Sequence, residues 1–318
     1  MAADFERDSI ASAVDSEGRA SGRIELSDTD ALLATLLGRC TFPSPGTPVT
    51  CAVSGGADSL ALLVLACRAG CVVTAVHVDH RLRPTGEIEA AQVAAVASRF
   101  GARFNAVSVE VAEGPNLEAR ARRARYDALP ADVLVGHTAD DRAETMLLNL
   151  LRGTGATGLA ALGASPRRPL LALRRGDTEA VCASLGLVPL RDPTNSDPRF
   201  RRNRVRGEVL PLLAEVAERD VVPLLVRLGD HLAALDGFVE LAAANLDPTD
   251  VQALRAASPV VARAALRRWL RTGGDEEQHP PDAAAVERVL SVVRGERRAT
   301  EVGRGRRVAR SAGRLHLT

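Results

Sequence analysis

The chain predicts an α/β architecture: a mostly parallel sheet with helices on both faces, followed by a smaller helical C-terminal domain. Three observations carry this expectation. Apolar strand-like runs at 49–54, 72–78, 104–111 and 132–136 alternate with helical patterns at 59–69, 86–100, 117–129 and 141–151. The first of these runs passes directly into a glycine-rich turn and then an apolar helix. From about residue 208 to 293 the pattern changes to helices without convincing strands. Strands that alternate with helices imply parallel neighbours with helical crossovers, and ligands then collect beyond the carboxyl ends of the strands.

The first element, 49–54, is a short apolar run that fits a buried strand. It ends in Ser54-Gly55-Gly56-Ala57-Asp58-Ser59. Two adjacent glycines can take backbone conformations closed to other residues, so successive N–H groups and the positive end of the following helix can converge on a polyphosphate. A Walker loop would place a lysine before its final Ser or Thr, and the 318-residue sequence contains no lysine at all. The same absence excludes enzymes that adenylate their own lysine or hold a carbonyl as a lysine Schiff base. Any amine nucleophile must be a substrate or the chain's own amino terminus. The turn resembles the pyrophosphatase loop of the N-type ATP pyrophosphatases, which split ATP between its α and β phosphates.

The second and third strands lead to His77–His80 and to an arginine-rich helix, 117–129, in which Glu118, Arg122 and Arg125 fall at helical spacing. An i,i+4 pair such as Glu118–Arg122 contributes only a few tenths of a kcal/mol when exposed. Its place just before the next junction lets an arginine reach nucleotide phosphates, where a guanidinium fork stabilises developing charge.

The fourth strand ends in Gly136-His137-Thr138-Ala139-Asp140-Asp141, with Glu144 one turn further on. At that spacing Asp140, Asp141 and Glu144 can share a helix face, which suits Mg²⁺ held against phosphates or proton removal from an attacking ammonium. Thr138 and Asp141 also fit a plain capping box, and acids favour a helix N-terminus in any case.

Breaks at 152–158 and 166–169 and a short helix at 178–185 follow. Residues 191–206 then form a loop shaped by Pro193, Asn195 and Pro198, continuing into Arg199, Arg201, Arg202, Arg204 and Arg206 without an acid among them. That composition fits an RNA-phosphate footprint or a solvated basic linker. Helices are expected at 210–216, 221–235, 260–271 and 283–293, with a small β-hairpin within 300–317.

Composition bounds the rest. With 46% hydrophobic residues and a formal charge of +1, the chain can bury a sizeable core. The expected division is a flexible acidic extension at 1–26, an ATP-binding catalytic domain at 27–213 and a helical domain at 214–318. The near-neutral total hides an asymmetry: residues 1–30 hold eight acids against three arginines, and residues 294–318 eight arginines against two glutamates. The basic end is either a nucleic-acid contact or a solvated surface. No apolar run reaches membrane-spanning length, and a cytoplasmic protein is expected. Five cysteines without a C-x-x-C pair point to buried reduced thiols rather than a zinc or iron–sulfur site.

Taken together, these segments resemble the tRNA(Ile)-lysidine synthases. Members of that family carry the Ser-Gly-Gly-x-Asp-Ser loop, a His-Val-x-His segment (His77 to His80), an Asn-x-Glu-x-x-x-Arg-x-x-Arg-Tyr helix (Asn116 to Tyr126) and a Gly-His-x-x-Asp-Asp-x-x-Glu-Thr junction (Gly136 to Thr145). Arg-Gly-x-Gly-x-x-Gly-Leu from Arg152, Arg-Pro-Leu-Leu from Arg168 and an Asp-x-Thr-Asn loop ending in Arg202-Asn203-x-x-Arg206 follow in the same order. The resemblance implies an adenine nucleotide alpha hydrolase-like fold. It also implies ligation of free L-lysine to the wobble cytidine of the isoleucine tRNA with a CAU anticodon, through an adenylated intermediate. It assigns ATP binding to Ser54, Gly55, Gly56, Ala57, Asp58, Ser59 and His137. Mg²⁺ falls to Asp58. Catalysis falls to Asp58, Arg122, Asp141 and Glu144, with Arg122 stabilising negative charge and the two acids handling the lysine ammonium. tRNA contact falls to Arg152, Arg202, Arg204 and Arg206. A homodimer is compatible with the resemblance. A tRNA thiolase with the same loop would use paired cysteines or a cluster, and a non-catalytic nucleotide-binding module would have no use for the acidic junction.

Overall fold

The computed structural model describes residues 28–79, 86–109, 120, 124, 127–160, 162–190, 197–271, 283–303 and 305–318. The 1–26 extension, His80, Arg122 with most of the 117–129 helix, and the 191–196 loop lie outside the described residues.

Helix α1 (Asp28–Leu37) precedes strand β1 (Pro48–Ala52), helix α2 (Ala57–Arg68), strand β2 (Val72–Asp79), helix α3 (Gly86–Arg99) and strand β3 (Arg103–Ser108). The three strands form a parallel sheet in the order β1-β2-β3, with Pro48 opposite Val72 and Val76 opposite Asn105. Helix α2 is apolar from Leu60 to Ala66, and all seven residues are buried. They fill the main core with Cys51, Val53, Val73, Ala75 and the α1 residues Leu33 and Leu36. Such all-round burial is what a crossover helix lying on a parallel sheet requires.

The expected fourth strand at 132–136 is reduced to a single parallel bridge, Leu134 to Cys51. Leu134 exchanges hydrogen bonds with Thr50 and Ala52, but the next N–H, of Val135, turns away to the Arg167 carbonyl at 2.9 Å, so the ladder stops after one residue. This bridge lies on the side of β1 away from β2. The chain therefore leaves β1 towards one neighbour and later returns on the other, which makes the end of β1 a topological switch point.

Helix α4 (Ala139–Leu150), the short α5 (Ala156–Leu159) and α6 (Arg175–Ser184) follow. Residues 201–216 form one helical run: α7 (Arg201–Arg204), a π-helical turn (Val205–Val209) and α8 (Leu210–Val216). Helix α9 (Val222–Ala244) extends well past residue 235, where the expected helix ends, and runs through Asp236 and Gly237. An interior glycine costs about 1 kcal/mol, and here Asp236 accepts a hydrogen bond at 2.7 Å from the Thr157 hydroxyl. Ala139, Ala143 and Leu147 of α4 share a core with Val205, Leu210, Val221 and Val222, so the helical region is fastened directly to the helix that begins at the acidic junction.

Helices α10 (Val251–Ala256), α11 (Pro259–Arg271) and α12 (Ala283–Arg294) surround a separate core that includes Leu254, Leu266, Leu270, Val289 and Val308. The hairpin expected at the end is a three-stranded antiparallel sheet: β4 (Ala299–Glu301), β5 (Arg307–Ser311) and β6 (Arg314–Leu317). Cys51, Cys71 and Cys182 are buried and all five thiols are free. No helix among the described residues is long and apolar enough to cross a membrane.

Candidate active site

The loop after β1 is shaped by Gly55, whose φ of +88° suits glycine and whose added Cβ would lie 2.3 Å from Leu190 Cδ1. Its carbonyl accepts the Leu190 N–H at 2.9 Å, which pins the loop to the irregular segment before residue 191. Ser59 Oγ accepts the Ser54 N–H at 3.2 Å and donates to the Gly56 carbonyl at 2.9 Å, tightening the turn at the start of α2. The first N–H groups of a helix have no intrahelical partner, so the turn presents donors beyond the sheet. His77 is buried, and its Nδ1 donates to the Val53 carbonyl at 2.9 Å, bracing the end of β1 from β2.

Gly136 holds the acidic junction against this loop. A Cβ there would lie 2.6 Å from the Asp58 carbonyl oxygen. The close approach of two backbones brings Asp58 and the start of α4 together. Asp141 Oδ2 accepts the Thr138 N–H at 2.8 Å, the return half of a capping box. The capping expectation and the cluster expectation therefore both hold for Asp141, since its other oxygen is used elsewhere.

That other oxygen, Oδ1, accepts from Arg202 Nη2 at 2.6 Å. Glu144, fully buried at 0% exposure, accepts from Arg202 Nε at 2.7 Å, from Arg206 Nε at 2.6 Å and Nη2 at 3.1 Å, and from Arg175 Nη2 at 3.2 Å. Three guanidinium groups thus close on one carboxylate. Arg175 also lies 3.6 Å from Asp141 and 3.8 Å from Asp58, linking the glycine loop with the junction. Asp140 takes separate partners: both guanidinium arms of Arg174 at 3.0 Å and the Arg175 N–H at 2.8 Å. Asp58 accepts a hydrogen bond from the buried Thr178 hydroxyl.

Burial pushes the Asp58 carboxyl above its usual range, against the opposing pull of Thr178 and Arg175. Burial also acts on Asp141, but there Arg202, the Thr138 N–H and His137 outweigh it, and the net position is below the usual range. Asp140 likewise ends low, because the bonds from Arg174 and Arg175 exceed the effect of burial.

The sequence-expected residues Ser54 to Ser59, Asp141 and Glu144 are thus drawn into one crevice. Arg202 and Arg206, expected to face RNA phosphates, instead hold Glu144 in this state, because a carboxylate with no water to solvate it demands cationic partners. Arg204 is exposed and pairs with Glu208 at 2.8 Å. Arg152 stands past the far end of α4, roughly 16 Å along the axis from Asp141, and donates to Asn149 Oδ1 at 3.1 Å.

Sequence reasoning missed Arg174, Arg175 and Thr178. One signal was available: two arginines at the start of a helix oppose its macrodipole, so they call for acidic partners elsewhere.

The fold and this cradle define a nucleotide-using protein of the PP-loop class. A family model described as the PP-loop domain matches residues 32–213, and one described as the TilS substrate binding domain matches residues 250–316. The chain is 42% identical over 268 residues to a tRNA(Ile)-lysidine synthase of Rhodococcus erythropolis, covering 79% of this chain and 82% of that one. It is 41% identical over 271 residues to the same-named protein of Nocardia farcinica, covering 80% and 85%. Against that of Mycobacterium tuberculosis the identity is 37% over 269 residues, covering 77% and 81%. A solved structure of the U34-tRNA thiolase NcsA from Methanococcus maripaludis shares the fold, with a TM-score of 0.51 at 14% identity over 64% of this chain and 77% of that chain. The chain belongs to the tRNA(Ile)-lysidine synthase family.

Proposed function

We propose that the chain uses ATP to adenylate the C2 oxygen of the wobble cytidine in the isoleucine tRNA with a CAU anticodon, and that the ε-amine of free L-lysine then displaces AMP to form lysidine. Pyrophosphate leaves in the first step and the C2 oxygen leaves with AMP in the second. The observation that carries this reading is the reach of Arg175 across Asp58, Asp141 and Glu144, which makes the phosphate loop and the acidic junction one site.

In this reading the amides around Gly55 and Gly56, with Ser54, Ala57, Asp58, Ser59 and His137, take the ATP phosphates. Magnesium usually binds through one or two carboxylates and the substrate's own phosphates. Asp58 fits that donor set: Thr178 engages one of its oxygens and Arg175 lies 3.8 Å from the other. The ion would supply charge neutralisation on the departing pyrophosphate. Arg122 is assigned to the charge that develops during adenylation, and Arg175 adds a second cation.

Asp141 is held ionised, which makes it a cation site rather than a strong base. Together with Glu144 it would orient the lysine ammonium, whose unperturbed pKa of about 10.4 means that a proton must leave before attack. Arg202 occupies the same two carboxylates, so lysine binds as Arg202 turns to an RNA phosphate. Arg152, Arg204 and, on releasing Glu144 as Arg202 does, Arg206 are assigned to the tRNA backbone, residues 27–213 to catalysis and residues 214–318 to reading the tRNA. The setting is the cytoplasm.

The test is purified protein with ATP, labelled lysine and each of the two CAU-bearing tRNAs. Label enters the isoleucine tRNA alone, with one AMP and one pyrophosphate per lysine. Release of ADP, or labelling that does not depend on ATP, refutes the assignment.

A further inference from the structure

At the far end of α9 from the acidic junction, a cavity of about 360 Å³ opens between residues 243–248 and α11. Its floor is made of small side chains, Ala243 and Ala265, which leave room above them. Its wall is Trp269, the one tryptophan of the chain, half-buried with its ring packed against the core of the C-terminal region. At its rim stands Arg268, which is exposed and, among the described residues, pairs with no carboxylate. Asn245 also lines it, its amide nitrogen bonded to the Leu241 carbonyl and its amide oxygen left to face the cavity, while the Asp247 carboxylate beside it is neutralised by Arg314 and bonded by Thr249. The volume lies at the small end for ligand sites and suits a single heterocycle.

The surroundings point to the class of that heterocycle. Helix α11 carries Arg263, Arg267, Arg268 and Arg271 and no acid. Arg263 is tied to Glu287 and Arg267 donates to the Thr157 hydroxyl, leaving Arg268 as the cation at the cavity mouth. An aromatic face, an adjacent guanidinium and a few edge-reading polar groups are what unpaired nucleotides require of a protein.

We propose that this cavity takes one unpaired nucleotide of the RNA substrate, its base stacked on Trp269 and its phosphate on Arg268. The proposal rests on the tRNA reading above and adds to it a second contact point outside the catalytic crevice.

The lone tryptophan makes the test direct. Titration of the full chain with the isoleucine tRNA quenches Trp269 emission, saturating at the concentration found by filter binding. Trp269→Ala weakens tRNA binding by roughly 5- to 150-fold, the range expected for loss of one base–aromatic stack, and Trp269→Phe recovers most of it. Because Trp269 also packs on the core, Arg268→Ala is the second variant. It alters only an exposed side chain, and the slope of log affinity against log salt falls by about 0.7 to 0.9. A wild-type chain that binds the tRNA with Trp269 emission unchanged, and with both variants binding as tightly as wild type, overturns this subsite alone. A wild-type chain that binds no tRNA overturns the subsite and the functional reading together.

Discussion

Replacing Gly136 with alanine drives apart the two backbones that form the active site. The added Cβ would sit 2.6 Å from the Asp58 carbonyl oxygen, 2.9 Å from its carbon and 3.3 Å from the Ser59 nitrogen. Ordinary contact begins near 3.4 Å, so loop and junction must separate by roughly 0.8 Å. The obstacle is main chain on both sides, and no side chain can rotate away to relieve it. Overpacking of this kind costs about 1 to 3 kcal/mol, and a misplacement approaching 1 Å costs about 10²-fold in rate. The expected result is a drop of roughly 10- to 100-fold in AMP formation at saturating ATP and tRNA, with a melting temperature lower by roughly 3 to 10 °C. Rates measured well below the transition separate the catalytic effect from unfolding. Gly176→Ala is the control: it is also a glycine near the site, but nothing lies within 4 Å of its added Cβ, and it leaves rate and stability close to wild type. Gly136→Ala turnover within twofold of wild type, with an unchanged melt, would refute the close-approach argument.

Glu144→Gln removes the charge on which Arg175, Arg202 and Arg206 converge. Leaving three partly exposed cations without this partner should cost about 1 to 3 kcal/mol by urea titration, and a loss well under about 1 kcal/mol would contradict the hub. Asp140 is held below its ordinary range in the folded chain, so its contribution is full above the unfolded value of about 3.9 and is lost as pH falls through the folded one. Urea midpoints of wild type and Asp140→Asn should therefore differ at pH 7 and draw together as pH falls below about 4, and a gap that stays constant or widens would refute the linkage. Arg204→Ala, which breaks only an exposed pair with Glu208, should weaken tRNA binding and lower the salt slope by about 0.7 to 0.9. Unaltered affinity would leave Arg204 as surface decoration of its helix.

Much of this protein was legible one residue at a time. The phosphate loop could be read because strand, Ser54-Gly-Gly-x-Asp-Ser59 turn and helix are contiguous, and two adjacent glycines constrain the backbone whatever surrounds them. Asp141 and Glu144 could be placed on one face because three residues of helix fix their separation. The single bridge at Leu134 was not legible. Val133, Leu134 and Val135 have strand character, but the Arg167 carbonyl that captures the Val135 N–H is 32 residues away. The helix was expected to stop at residue 235 for a related reason: its continuation through Gly237 is supported by contacts made elsewhere, such as that of Asp236 with Thr157.

The sequence by itself determined the local chemistry: a phosphate-binding turn, an acidic helix start and a run of arginines, all set by backbone rules that act over a few residues. Only the tertiary structure decided what those arginines face. Arg175, Arg202 and Arg206 meet Glu144 from 31, 58 and 62 residues away. An arginine written in a sequence is the same whether a phosphate or a carboxylate awaits it. The choice is made by burial, because Glu144 without solvent must have charged donors, and burial exists only once the chain has folded.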